Sequence, residues 1–315
     1  MRRQLLLAMV PLCATTRDAL GFDPLPLDDD DPLRIVRVLD DEHGFVRVVD
    51  VMGDDRRIVA AARVTYSSTA AEARTAAQDR ALIRYLMAHE HTSPTEMCEL
   101  TVHVRAPLAI VKQWQRHRTG SYNEVSARYT QLPPDRCYVP PPRWIAPQSS
   151  DNHQGRQESS PASPYDAARI AGAMDRVNQT CADTYKRLAD GDQVALEVAR
   201  FVQPQSLYTE FWYKTDLHNL LHFLRLRLAP NAQLEIRRYA QALAMIVAAW
   251  VPVTWRAFCD HRLNAVALSA NDARVLRCWL RGETVDAERA QREFDVGARA
   301  YRRLVDEFTL PPQSS

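Results

Sequence analysis

From residue 98 to residue 105 the chain alternates Cys98, Leu100, Val102 and Val104 with Glu99, Thr101, His103 and Arg105. That period of two fits an extended strand with one buried face and one wet face. A second β-branched run, Phe45 to Val51, closes on the turn signal Gly53-Asp54-Asp55, so ordered structure is expected to begin near Gly44. Downstream the period changes. Ala70 to Ala88 suits a helix, and the following His89-Glu90-His91-Thr92-Ser93-Pro94 reads as a polar loop, because the proline forces Ser93 into an extended conformation. Pro107 opens a short helix expected to run from Leu108 to Arg118, where Gly120 stops it. Ile170, Met174, Val177, Cys181, Tyr185 and Leu188 recur every three or four residues and are expected to face the core. Val194 to Tyr213, Asp216 to Leu228, Gln233 to Trp250 and Asn271 to Leu280 also read as helices, whereas the Ser-, Gln- and Pro-rich stretch from Ala146 to Pro164 reads as a surface excursion. Strands early and helices late predict an α+β fold, a central β-sheet flanked by helices with a helix-rich C-terminal half.

Composition removes several function classes. The 315 residues include only 9 glycines and no Gly-x-Gly, so the glycine-rich turns of dinucleotide-binding and P-loop folds are absent. Lys and Arg total 40 against 39 for Asp and Glu, a formal net charge of +1 that gives no overall field for nucleic acid; any anion site must be local. Six cysteines without Cys-x-x-Cys suggest neither a zinc knuckle nor a disulfide scaffold, and a reducing, cytoplasmic setting fits them. No apolar run approaches the ~20 residues of a membrane span. Arg2 and Arg3 before Leu5 to Leu12 resemble a short signal or organelle transit segment, with a disordered or mis-started leader as the alternative, and Asp28 to Asp31 reads as a solvated spacer. The expected organisation is a leader over residues 1–40, a catalytic domain over 41–282 and a helical extension over 283–315.

The densest polar segment is Arg116-His117-Arg118-Thr119-Gly120-Ser121-Tyr122-Asn123-Glu124-Val125-Ser126-Ala127-Arg128, placed directly after an apolar helix. Guanidinium forks with serine hydroxyls and backbone N–H groups make a cradle suited to phosphate, although a solvated loop with surface ion pairs would have a similar composition. A non-catalytic nucleotide- or nucleic-acid-binding loop is a further alternative. His218 and His222 share one helical face, but Asn219 stands where the His-Glu-x-x-His metal motif needs glutamate, and no metal is expected.

Arg116-His117-Arg118, seven residues and then Ser126 resembles the signature of the flavin-dependent thymidylate synthase family. Other blocks follow in the family's order: His91-x-Ser93-Pro94-x-Glu96, Ala106-Pro107-Leu108 to Gln113-Trp114, Ala199-Arg200, and Asp216-Leu217-His218 through Leu224-Arg225-Leu226-Arg227. The resemblance spans roughly residues 43–270. It implies the thymidylate synthase-complementing protein fold and reductive methylation of dUMP to dTMP, with FAD as cofactor, 5,10-methylenetetrahydrofolate as carbon donor and NADPH as reductant. It also implies a homotetramer with active sites shared between subunits, acting on small molecules rather than on nucleic acid or membrane. Modification of another pyrimidine nucleotide is the alternative within this chemistry.

Residue by residue, the resemblance implies cofactor contacts from Ser93, Arg116, His117, Arg118, Glu124, Asp216, His218 and His222. It implies substrate contacts from His91, Gln113, Arg116, Glu124, Ser126, Ala127, Arg128, Arg200 and Arg227. Arg227 is the candidate catalytic group, a cation placed to stabilise charge on the ionising pyrimidine. No cysteine nucleophile is then required, and Ser126 reads as a hydrogen-bonding residue rather than a nucleophile. Asp216, His218, Met97 and Thr65 depart from residues common in the family, which bears on the flavin contacts.

Overall fold

The computed structural model describes residues 17–26, 34–64, 75–150, 154–157 and 161–308. The alternating segments pair as one antiparallel sheet of strands β1 (Ile35–Val38), β2 (Gly44–Met52), β3 (Glu99–Pro107), β4 (Ser121–Glu124) and β5 (Tyr208–Asp216), in the order β1-β2-β3-β5-β4. Leu100, Val102, Val104 and Ala106 of β3 are fully buried, as the period of two predicts. Order begins ahead of Gly44, because Val36 and Val38 of β1 pair with β2 and join the core.

Helix α1 (Asp55–Arg63) is capped by Asp54, whose carboxylate accepts the N–H groups of Arg56 and Arg57. Helix α2 (Ala76–Ala88) starts at a Thr75/Gln78 capping box, so its described part is shorter than the Ala70–Ala88 expectation, whose first residues lie outside the described ones, as does Thr65. Residues 1–16 of the expected leader and the acidic run also lie outside them. Helix α3 (Leu108–Trp114) ends four residues before Arg118. Trp114 is fully buried among Phe211, Tyr213, Phe223 and Tyr239, and the Tyr122 hydroxyl donates to the Trp114 and His117 carbonyls, turning the chain out of the helix there.

Helix α4 (Pro164–Lys186) buries Ala167, Asn178, Ala182 and Tyr185; of the expected stripe Tyr185 is buried, Ile170, Cys181 and Leu188 are half-buried, and Met174 and Val177 are exposed. The small alanines allow a close approach on that side, and spacing alone does not reveal which of two semi-apolar faces a helix will bury. The helix expected over Val194 to Tyr213 is not formed. Short helical turns at Leu196–Ala199 and Arg200–Val202 give way to β5, which runs beside the whole length of β3. Asp216 then caps α5 (Leu217–Arg227), its Oδ1 accepting the Asn219 N–H at 2.9 Å. Helix α6 (Leu234–Trp250) is buried along most of its length and packs on β1 and β2, and the Tyr239 hydroxyl donates to the Arg105 carbonyl at 2.7 Å. Helix α7 (Pro252–Phe258) continues as a wider turn through Leu263.

Residues 264–315 separate as a second unit, so the boundary falls ahead of the one expected at 282. The reason is packing: Val275 of α8 (Ala270–Leu280) shares a core with Val285, Ala290 and Phe294 of α9 (Ala287–Phe294) and its entry, and with Leu304 of α10 (Ala298–Phe308). Among the described residues no helix is long and apolar enough to cross a membrane.

Candidate active site

Three structural devices position the Arg-His-Arg segment. The first is the Trp114 anchor. The second is Gly120, where an added Cβ would stand 2.2 Å from Tyr213 Cε2, so only glycine lets the turn lie on β5. The third is the pairing of β4 with β5, continued by Val125 N–H donating to the Glu210 carbonyl at 2.9 Å, which fixes where residues 125–130 leave the sheet. Within that loop Ser126 Oγ accepts the Arg128 N–H at 3.3 Å, and the Tyr129 and Thr130 N–H groups return to the Ser126 carbonyl.

The arrangement brings Gln113, His117 and Arg227 into direct contact. Arg227 Nε donates to His117 Nε2 at 2.9 Å, and Arg227 Nη2 donates to the Gln113 carbonyl at 3.3 Å. The Gln113 amide is itself held by Gln233. His117 is buried, with its ring 4.7 Å from that of Phe223 and 6.1 Å from that of His222. Burial first, then the Arg227 charge and His222, push its pKa down to about 4, so the imidazole is neutral at neutral pH. Burial also lowers the pKa of Arg227, which stays a cation.

Arg128 Nη2 pairs with Glu197 at 3.0 Å, one turn before Arg200, so the loop and the Ala199-Arg200 block meet through that carboxylate. Glu124 accepts from Thr209 Oγ1 at 2.9 Å and from Gln115 Nε2 at 3.2 Å. Ala127 is half-buried in the same loop, while Arg116 and Arg118 are exposed. Among the described residues no side-chain partner is recorded for Arg116, Arg118, Arg200 or Arg225. These are cations available to an anionic ligand.

His91, His218 and His222 converge elsewhere, on a cleft of about 740 Å³ including its open mouth, walled by Ile58, Ile83, Leu86, Leu221 and Phe258. Arg225, Arg262, Glu90, Thr92 and Thr95 also line it and were missed by sequence reasoning. Arg225 could have been found, since it lies within the Leu-Arg-Leu-Arg block, whereas nothing near Arg262 in sequence marks it. Arg262 donates to Glu90 at 2.7 Å and to the Met87 carbonyl at 2.5 Å, steadying a turn in which Glu90 has φ +59°. Ser93 is exposed beside this cleft, between Thr92 and Thr95, rather than among the lining residues. Asp216 spends both carboxylate oxygens on Asn219, the second at 2.6 Å, so its contribution here is to hold the start of α5 and thereby His218 and His222.

An apolar-walled cleft rimmed by hydrogen-bonding imidazoles, with uncommitted guanidinium groups on neighbouring segments, fits a flat heteroaromatic ring system that carries phosphate. Comparison with known proteins agrees with that chemistry. The sequence profile of the family described as "Thymidylate synthase complementing protein" matches residues 47–253. The flavin-dependent thymidylate synthase of Ruegeria pomeroyi is 45% identical over 269 residues, 84% of this chain and 85% of that protein. The enzyme of the same name from Gluconobacter oxydans is 46% identical over 250 residues, 78% of this chain and 80% of that one. A crystal structure of the UMP/dUMP methylase PolB from Streptomyces cacaoi bound with 5-Br dUMP superposes with a TM-score of 0.63 at 32% identity, covering 69% of this chain and 95% of that one. By sequence and fold together, the chain belongs to the thymidylate synthase complementing protein family, that of the flavin-dependent thymidylate synthases.

Proposed function

We propose that this chain catalyses the reductive methylation of dUMP to dTMP, with FAD as its flavin, 5,10-methylenetetrahydrofolate as carbon donor and NADPH as reductant. The observation that carries the reading is the half-buried Arg227, held by His117 and the Gln113 carbonyl beside a segment whose Arg116 and Arg118 have no side-chain partner among the described residues. FAD, when bound, relays reducing equivalents and mediates the carbon transfer. The protein's own part is to bind, orient and stabilise charge. Arg128 and Arg200 suit the phosphate of the nucleotide, and Ser126 and the backbone of residues 126–128 supply neutral donors around it. Arg227 suits the imide edge of uracil: a cation half removed from water stabilises negative charge there far better than a solvated one. His91, His218 and His222, with Ser93 and Thr92 beside them, suit the ring edges of flavin and folate; Arg116 and Arg118 suit the flavin diphosphate. Glu124, fixed by Thr209 and Gln115, keeps the loop at the strand end. None of this calls for a thiolate, and burial raises Cys98 and Cys259 to about 11, away from nucleophilic character at neutral pH.

The exposed apolar residues Tyr129, Met174, Val177, Val198 and Phe201 support a homotetramer in which other copies cover them. The decisive assay supplies dUMP, methylenetetrahydrofolate and NADPH to the purified yellow protein and follows dTMP. Arg227→Ala should retain flavin and lose at least about 100-fold in kcat, roughly the 2.7 kcal/mol of one oriented charge-stabilising group. Unchanged dTMP formation by that variant would remove Arg227 from the chemistry, and UMP in place of dUMP tests the alternative pyrimidine nucleotide.

A further inference from the structure

His117 belongs to the segment whose resemblance points to flavin, yet its side chain is spent on another residue. Its Nε2 accepts the Arg227 Nε–H at 2.9 Å, and the ring lies against Phe223 with the whole residue only 8% exposed. The backbone on either side is tied as well: His117 N–H donates to the Trp114 carbonyl at 2.9 Å, and the His117 carbonyl accepts the Tyr122 hydroxyl at 2.7 Å. We infer that His117 is a positioning residue for Arg227, its unprotonated Nε2 fixing the guanidinium so that the N–H groups not used by His117 and Gln113 are presented to the uracil edge.

An arginine has four side-chain torsions, and ordering such a long side chain costs about 1.5–2 kcal/mol unless the protein has already ordered it. Here two acceptors on α3 and the turn after it hold Nε and Nη2, while Nη1 has no partner among the described residues. The acceptor must be neutral: an imidazolium has no lone pair to offer and would set a second positive charge against the guanidinium. The titratable groups facing His117 are Arg227 and His222 from α5 and Tyr122 from β4, and among the described residues no carboxylate bonds it to stabilise a proton there. Accepting at Nε2 also fixes the tautomer, with the proton on Nδ1.

The inference rests on the proposed role of Arg227, and the test separates the two. His117→Gln carries an amide oxygen to about the position of Nε2, whereas His117→Phe keeps the ring against Phe223 and removes the acceptor. With flavin content and dUMP affinity measured beside turnover, H117Q should stay within about threefold of wild type in kcat/KM for dUMP. H117F should fall about 10- to 100-fold with flavin retained, the range for losing a hydrogen bond to a charged group. In the Arg227→Ala background, H117F should cause no further loss, because the group it acts through is gone. Additive losses in the double variant, wild-type affinity and rate in H117F, or loss of flavin in both H117F and H117Q would each overturn the inference while leaving the function intact. If H117F does not fold, His117→Asn, whose amide stops short of Arg227, takes its place with the same expected loss. A wild-type protein that neither binds nor methylates dUMP would overturn the function itself, and this inference with it.

Discussion

A histidine whose pKa is lowered on folding leaves a mark on stability as well as on the site. Between its ordinary value of 6.5 and about 4, the unfolded chain takes up a proton at His117 that the folded chain refuses, so stability falls as the pH drops through that window. The loss between pH 7 and pH 5 should be about 2 kcal/mol, read from urea midpoints at the two pH values, and H117F should remove it. Glu210 acts in the same direction at lower pH. Its hydrogen bond with His103 at 2.7 Å, with Arg105 beside it, lowers its pKa from 4.5 to about 2 against the raising effect of burial. Its contribution is complete above pH 4.5 and disappears as the pH falls towards 2; with a third of the side chain in water, the amount is smaller than the shift alone implies. Glu210→Gln should therefore flatten the acid limb below pH 4.5 while leaving the His117 window unchanged. At this scale the arginine-rich block was legible because its residue types are unusual together. The contact between His117 and Arg227 was not, since 110 positions separate them and only the fold of the sheet and α5 brings them together.

The turn between α3 and β4 works only because a backbone without a side chain passes Tyr213 at Gly120. Gly120→Ala places a Cβ where the tyrosine ring already is and should cost about 1–3 kcal/mol, seen as a lower thermal midpoint together with weakened dUMP binding. The same variant with Tyr213→Leu should recover much of the stability, which tests whether the clash is the cause. The clearest strand, β3, was readable from its alternation, but its neighbour β5 was not. In β5 the outward Trp212 is as apolar as the inward Phe211 and Tyr213, so no contrast marks a wet face, and Leu196, Val198, Ala199 and Val202 just before it imitate helical spacing. What makes β5 a strand is its pairing with β3 and β4, which lie far upstream. A similar limit applied to α4: the spacing identified a helix, while the buried face was selected by what packs against it.

On the scale of the whole chain, two cores coexist. One gathers the sheet with α1 to α3 and α5 to α7, and the other unites α8, α9 and α10 around Val275, Phe294 and Leu304. Leu304→Ala should destabilise the second core by about 2–5 kcal/mol and leave the visible flavin spectrum and dUMP binding unchanged, measured by thermal melting alongside titration with dUMP. The helical character of this tail was evident from its sequence, but its starting point was not, because Val275 looks equally suited to either core until its neighbours are known.

The strand order also sets a schedule for the growing polypeptide. β3 remains half-paired until β5, roughly a hundred residues later, has left the ribosome, and until then its unpaired edge is open to strands of other nascent chains. Refolding from urea should accordingly be slow for a protein this rich in helix, with yield falling as concentration rises, since closing that long loop completes the sheet around which the first core gathers.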